Sequence, residues 1–408
     1  MNSADFIDDT NVLTCSLCVS TDLHRSVSFG LQPPSNRYVS GPNVADEKKY
    51  ALTLGFCGRC GTIQLIDRMP IEVIRPRYDW LSHNEPEGHL DDVAERLRQL
   101  PGVHSQSAAL GVTYKDQSTL VRLERLGLAK AYHVRESDFL LPKRPFGLET
   151  IQNSLSDSRA IEVIKKKYGA VDLLVVRHVV EHAVSARQML KNLQRLLSPS
   201  GYMVLEMPDS EHIFNASNHS FIWEEHISYF TEASIRKIAQ SVSAKVIWAK
   251  RYKYPYEDSL VFVLKFDAGA TDNVLVQSRD EVQAAKKHLA SFAKALLEQR
   301  KLWRDVLEGY RQRGQKVAVF GAGHLAAKFL NFLQVGDFID CVVDDDPNKI
   351  GSSMPGSHVT IVSSSDLTAR GIEVCVSTLS PESEVRVRNK LEDFFLSGGI
   401  FLPAFLAQ

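Results

Sequence analysis

The sequence predicts an α/β protein in three parts, and three observations carry that reading. Strand-like and helix-like pieces alternate over residues 107–266, the alternation begins again at residue 315 with a glycine-rich turn, and four of six cysteines cluster near the N-terminus. Alternation of this kind argues for a doubly wound sheet that binds ligands at the carboxyl ends of its strands. At 408 residues the chain has room for two or three domains. The expected boundaries are 1–75, 76–266, a helical connector over 267–314, and 315–408.

Cys15 and Cys18 form one C-x-x-C pair and Cys57 and Cys60 another, each a tight turn that aims two thiolates at one point. Gly58 and Gly61 allow the second turn its geometry. Two such turns about forty residues apart describe a closed site of four thiolates, the pattern of structural zinc. A redox pair of thioredoxin type is the weaker reading, because neither pair opens a helix.

Residues 67–105 look helical and polar, with Tyr78, Trp80 and His83 at the entry and a periodic helix over Asp91–Leu100. In the alternating part, strands are expected at Ala108–Val112, Ala129–Val134, Val171–Arg177, Tyr202–Met207, Lys245–Ala249 and Ser259–Phe266. Helices are expected at Ala160–Lys167, Ala186–Leu197 and Glu232–Ser241, and Trp223–Tyr229 is a loop. Glu281–Arg313 reads as one long charged helix or two. The last part opens with the strand K-V-A-V-F, the turn Gly321-Ala322-Gly323-His324-Leu325-Ala326, and a helix through Phe332. This G-x-G-x-x-A turn, with Asp344 about twenty residues on, is a dinucleotide-type fingerprint, and a plain strand-to-helix turn is the competing reading.

Charge excludes some functions. The 48 Lys+Arg balance 49 Asp+Glu for a net of −1, which argues against a surface that coats nucleic acid. The longest apolar runs, such as Leu173–Val176 and Ile400–Leu406, fall far short of the ~20 residues of a membrane span. The opening residues are acidic and polar, unlike a signal peptide, so the cytoplasm is the expected compartment.

The richest stretch for chemistry is Ile222-Trp223-Glu224-Glu225-His226-Ile227-Ser228-Tyr229-Phe230-Thr231. A carboxylate beside an imidazole can move both groups toward neutrality, which suits a general base. The plainer reading makes Glu224 and Glu225 solvated and puts Tyr229 and Phe230 in a core.

Taken together, the paired C-x-x-C motifs with L-Q-P-P-S-N-R-Y between them, the run E-E-H-I-S-Y-F, and G-A-G-H-L-A followed by D-D-D-P-N-K resemble the sugar C-methyltransferases that act on nucleotide-linked keto-deoxysugars. The resemblance covers nearly the whole chain. It implies a zinc-binding N-terminal domain, a central Rossmann-like class I methyltransferase domain that uses S-adenosylmethionine, and a C-terminal Rossmann-like domain. It also implies a small-molecule partner, a nucleotide-linked sugar, handled by a monomer or homodimer.

In that family a Glu-His pair in a Tyr-Asp-Glu-His run forms the base region. Glu225 and His226 inherit that role here, Trp223 replaces the tyrosine, and His182 in R-H-V-V-E-H matches a further active-site histidine. Tyr78 matches the family's tyrosine-bearing entry loosely, as does Trp80. Trp223, Glu224 and Tyr229 would line the sugar, with Gly321, Gly323, His324 and Asp344 toward the nucleotide.

The chain departs from the family at the methyl-donor loop, normally E-x-G-x-x-x-G. Here only Gly111 remains, Lys115 adds bulk, and Val134 or Arg135 stands where an acid normally ends the second strand. Tyr114, Asp116 and Glu136 are the expected substitutes, with His178 at the next strand end. Two other functions therefore stand beside methyl transfer. One is a non-methylating sugar-nucleotide enzyme, acting by enolisation or epimerisation, or a binding protein on the same scaffold. The other is an NAD-type oxidoreductase built on Gly321, Gly323 and Asp344.

Overall fold

A computed structural model describes residues 13–40, 46–75, 77–78, 85–139, 147–267 and 278–405. Three sheets organise them. In chain order the strands are β1 (Leu23–Gln32), β2 (Tyr50–Cys57), β3 (Ile63–Asp67), β4 (Ala108–Gly111), β5 (Lys130–His133), β6 (Val171–Arg177), β7 (Leu197–Pro208) and β8 (Ser228–Tyr229). They continue as β9 (Ala244–Tyr252), β10 (Ser259–Phe266), β11 (Lys316–Phe320), β12 (Cys341–Val343), β13 (Ile361–Val362), β14 (Ile372–Ser377) and β15 (Ile400–Pro403).

The central sheet runs β5-β4-β6-β7-β10-β9. Its first four strands are parallel, and β10 enters antiparallel between β7 and β9. The continuous apolar runs of β6 and β10 follow from burial on both faces, since helices cover each side. All four parallel strands point their carboxyl ends the same way, toward the residues singled out above. The third sheet, β13-β12-β11-β14-β15, is parallel throughout.

The N-terminal sheet, β1-β2-β3-β8, is antiparallel and takes its last strand from far along the chain. In β8, Tyr229 lies opposite Ile63 and Ser228 opposite Gln64. The stretch expected to be a loop thus ends as an edge strand of another unit.

The expected connector is a single 34-residue helix, Arg279–Gln312. It buries Ala285, Leu289, Phe292, Leu296 and Leu307 and lies against β1, β2 and β11. Each large apolar side chain buried in this way stabilises the fold by about 1.5–3 kcal/mol. Phe29 of β1 stacks on Phe332 at 4.2 Å between ring centres, so the first and third sheets share one apolar core through this helix.

Other differences are local. The helix expected at Ala160–Lys167 runs Ser158–Tyr168, capped by Asp157, and a second helix, Leu148–Ser156, precedes it. Within 67–105 only Ile71–Ile74 and Leu90–Arg98 are helical among the described residues, and β3 runs through Asp67. Trp80 and His83 lie outside the described residues.

Candidate active site

The four cysteines meet as expected. Cys15 Sγ lies 3.6 Å from Cys60 Sγ, Cys18 Sγ lies 3.5 Å from Cys57 Sγ, and all four sulfurs fall within 4.8 Å of one another. Thiolates about a tetrahedral zinc, ~2.3 Å from it, are about 3.8 Å apart, so this is the zinc site. Gly61 takes φ +77° and approaches the backbone of Glu281 so closely that a Cβ would lie 2.6 Å from it. Glycine is therefore required there twice over, by the turn and by the long helix.

The zinc turns also hold the catalytic candidates. Ser16, between the first two cysteines, donates its N–H to Gln64 Oε1 and shares a 2.6 Å bond with Ser228 Oγ. Leu65 N–H donates to the carbonyl of Ile227, the residue after His226. His226 and Glu225 are half-buried, and the His226 ring meets the edge of the His182 ring at 4.7 Å. His182 comes from the turn after β6, and β8 brings His226 from the far side. The structure therefore joins Glu225, His226 and His182.

The adjacent glutamates have opposite fates. Glu224 is fully buried and accepts from Ser35 N–H at 2.6 Å, with Lys328 Nζ at 2.7 Å and His324 Nδ1 at 3.8 Å. Burial alone would raise its pKa, but the Lys328 ammonium and His324 outweigh that and hold it at about 2. This corrects Glu224 as a sugar ligand: its carboxylate is committed to an internal pair. Burial, with the negative charges of Glu224 and Glu149, instead pushes Glu225 up to about 8. His182 falls to about 4 through burial, so its ring is neutral at pH 7.

Trp223 stacks on His324, ring centres 3.4 Å apart, and lies 5.8 Å from the His226 ring. Tyr229 is buried and donates to the Trp223 carbonyl, so it braces the turn rather than facing a ligand. Tyr78 is half-buried near Arg37.

The loop after β4 is closed by its own carboxylate. Asp116 is fully buried and accepts the backbone N–H groups of Val112, Thr113 and Arg177. A Cβ on Gly111 would strike the Asp116 side chain at 2.7 Å, so the glycine makes room for Asp116 rather than for a ligand. Asp116 is thereby corrected from a cofactor contact to a loop brace. Tyr114 and Glu136 remain exposed at the carboxyl ends of β4 and β5.

Next to this loop lies a network of which sequence reasoning named only His178, and that as a cofactor contact. Arg177 and Glu206 pair at 2.6 Å in the interior, and Glu206 also meets His178 and His89, each at 3.1 Å. His178 adopts φ +51°, a conformation that costs a non-glycine residue roughly 1 kcal/mol, and its N–H and ring both bind Glu206. The Glu85, Glu181 and Glu206 carboxylates overcome burial and push His178 up to about 10. Two signals existed in the sequence, a charged pair ending β6 and a lone glutamate inside apolar β7.

The fingerprint turn is closed in the same way. Gly321 takes φ +97°, as the turn requires, but Asp344 accepts Ala322 N–H at 2.9 Å and pairs with Lys349 at 2.8 Å. That commitment corrects Asp344 as a nucleotide ligand and removes the ribose contact an NAD-type oxidoreductase needs. Gly323 has nothing within 4 Å of its Cβ position, so the start of the helix His324–Phe332 is open there.

Three family models match in order: a zinc binding domain over residues 15–74, a methyltransferase domain over 115–247, and a C-methyltransferase C-terminal domain over 267–405. The chain is similar to the C-methyltransferase NovU of Streptomyces niveus, 22% identical over 367 residues, covering 85% of this chain and 84% of that protein. Among solved structures, it aligns with 1,6-didemethyltoxoflavin-N1-methyltransferase of Burkholderia thailandensis at a TM-score of 0.30 and 12% identity, over 44% of this chain and 80% of the other. It also aligns with magnesium protoporphyrin IX methyltransferase of Synechocystis PCC 6803 at 0.30 and 14%, over 46% and 90%. No helix among the described residues is long and apolar enough to cross a membrane. The zinc site falls within the residues matched by the zinc binding model, and the three models in sequence show a methyltransferase that ends in a C-methyltransferase C-terminal domain.

Proposed function

We propose that this enzyme methylates a carbon next to a ketone in a nucleotide-linked deoxysugar, using S-adenosylmethionine and a base-formed enolate. One observation carries the reading: Glu225, pushed to about 8, stands with His226 and His182 at the carboxyl ends of the central strands. A base for an α-proton needs a pKa near the working pH, and Glu225 meets that condition better than His182 at about 4.

In this mechanism Glu225 takes the proton alpha to the ketone, and His226 donates to the developing enolate oxygen. When bound, S-adenosylmethionine would supply the methyl that the enolate carbon takes, with the C–S bond breaking and S-adenosylhomocysteine as the leaving group. Tyr114 and Glu136 are the residues that would hold the donor, the first by stacking and the second at the ribose hydroxyls. Tyr114 lies within electrostatic reach of Glu225, which supports a crevice continuous with the base. The open turn at Gly323 and the helix behind it suit the diphosphate of the sugar nucleotide.

A second reading rests on the closed loop. Asp116 accepts the backbone donors that would otherwise face the crevice, which favours a non-methylating enolisation or epimerisation enzyme on the same scaffold. Calorimetric titration with S-adenosylmethionine and S-adenosylhomocysteine, alone and with thymidine diphosphate present, separates the two. Binding at micromolar affinity is expected. Absence of binding under both conditions would remove methyl transfer and leave the second reading.

A further inference from the structure

We propose that Glu181, His182 and His226 form a second metal site, which takes a first-row divalent cation such as Mn2+, Co2+ or Fe2+. One ligand atom from each residue lies within 4.8 Å of the other two, close to the ~4 Å that ligands about one cation can span. Two histidines and one carboxylate are a ligand set with open positions for substrate.

The burial and hydrogen bonding of these groups point to a ligand. Glu181 is 2% exposed and His182 3%, yet both Glu181 carboxylate oxygens and His182 Nδ1 lack any hydrogen-bond partner. His178 Nδ1 lies 3.7 Å from one Glu181 oxygen, beyond hydrogen-bond reach but within an ion pair. The ion pair with His178 meets one Glu181 oxygen and leaves the other, and His182 Nδ1, without a partner, which groups so buried ordinarily have.

The site is separate from the four cysteines, which supply sulfur only. Its position beside Glu225 suits a cation that, held in part by His226, polarises the substrate carbonyl oxygen in place of a direct bond from His226 and leaves Glu225 as the base. This role rests on the enolate reading, whereas binding of the cation does not.

The test uses the full chain with its zinc counted by mass spectrometry, and reads Mn2+ binding by electron paramagnetic resonance without donor or sugar. One Mn2+ per chain is expected beyond the single zinc. Glu181→Gln should weaken Mn2+ about tenfold or more, with zinc content and melting temperature unchanged. If that variant does not fold, wild type alone decides: Co2+ added to the zinc-filled protein must bind one further equivalent without a thiolate charge-transfer band. No cation beyond the zinc, or equal Mn2+ affinity in Glu181→Gln, overturns the proposal. Either result leaves the methyl-donor titration to judge the enolate reading on its own.

Discussion

Glu224 and Glu225 are neighbours in sequence and differ because of what surrounds them. Lys328 and His324 hold Glu224 at about 2, while burial and the Glu224 charge itself push Glu225 to about 8. One carboxylate thereby tunes the other, the arrangement by which environment divides acid from base. If Glu225 is the base, kcat/KM rises as pH passes about 8 and then levels. Glu225→Gln should lower turnover about a hundredfold or more and abolish that rise, and His226→Asn should lower turnover but keep it. Stability follows the same group. Between the ordinary 4.5 and about 8, the folded chain holds a proton that the unfolded chain has released, so this carboxyl erodes stability as pH rises through that window. Glu225→Gln should flatten that slope in denaturation midpoints taken from pH 5 to 8. Unchanged turnover in Glu225→Gln would take Glu225 out of the proton transfer.

At the scale of elements, the zinc turns, β3 and β8 act as one unit. Cys15 and Cys18 flank Ser16, which is bonded to Ser228 and Gln64, and β8 begins two residues after His226. Losing a thiolate should therefore reach the turn that carries Glu225 and His226 as well as the metal. Cys57→Ser is expected to lose zinc, lower the melting temperature by roughly 5–10 °C and reduce turnover together. Normal zinc content and an unchanged melting curve would count against the site. This coupling marks the limit of what the sequence reveals. The C-x-x-C turns and the strands of the central sheet are legible because their signals are local: ligand spacing, apolar runs, helix periodicity. The two residues of β8 have no such signal, since their partners Ile63 and Gln64 lie far away in the chain. Asp116 was legible as a carboxylate near a glycine, but not that it points inward. The long helix was legible as a helix, although its charge concealed the apolar face through Phe292 and Leu296.

At the scale of the whole molecule, one buried junction joins parts that the sequence presents separately. Ser35 from the N-terminal unit and Lys328 from the C-terminal helix both bind Glu224, while His324 of that helix stacks on Trp223. Lys328 is 1% exposed inside the apolar run A-K-F-L-N-F, where only its partner accounts for it. A buried pair adds little beyond what an apolar pair of the same size would give, but breaking one side strands a charge, at about 3–5 kcal/mol. Lys328→Met should therefore destabilise the protein by about that amount at pH 7, and adding Glu224→Leu should recover most of the loss. The pH dependence identifies the cause. Glu224 in wild type contributes stability that is present above 4.5 and lost as pH falls toward about 2. In Lys328→Met the same carboxyl is free to take up a proton as pH falls, so the gap between variant and wild type should narrow in that window. Urea midpoints at pH 7 and pH 4 measure the gap. A Lys328→Met midpoint equal to wild type at pH 7 would show that the three parts are held together elsewhere, and a gap that persists at pH 4 would assign the loss to packing rather than to the stranded charge.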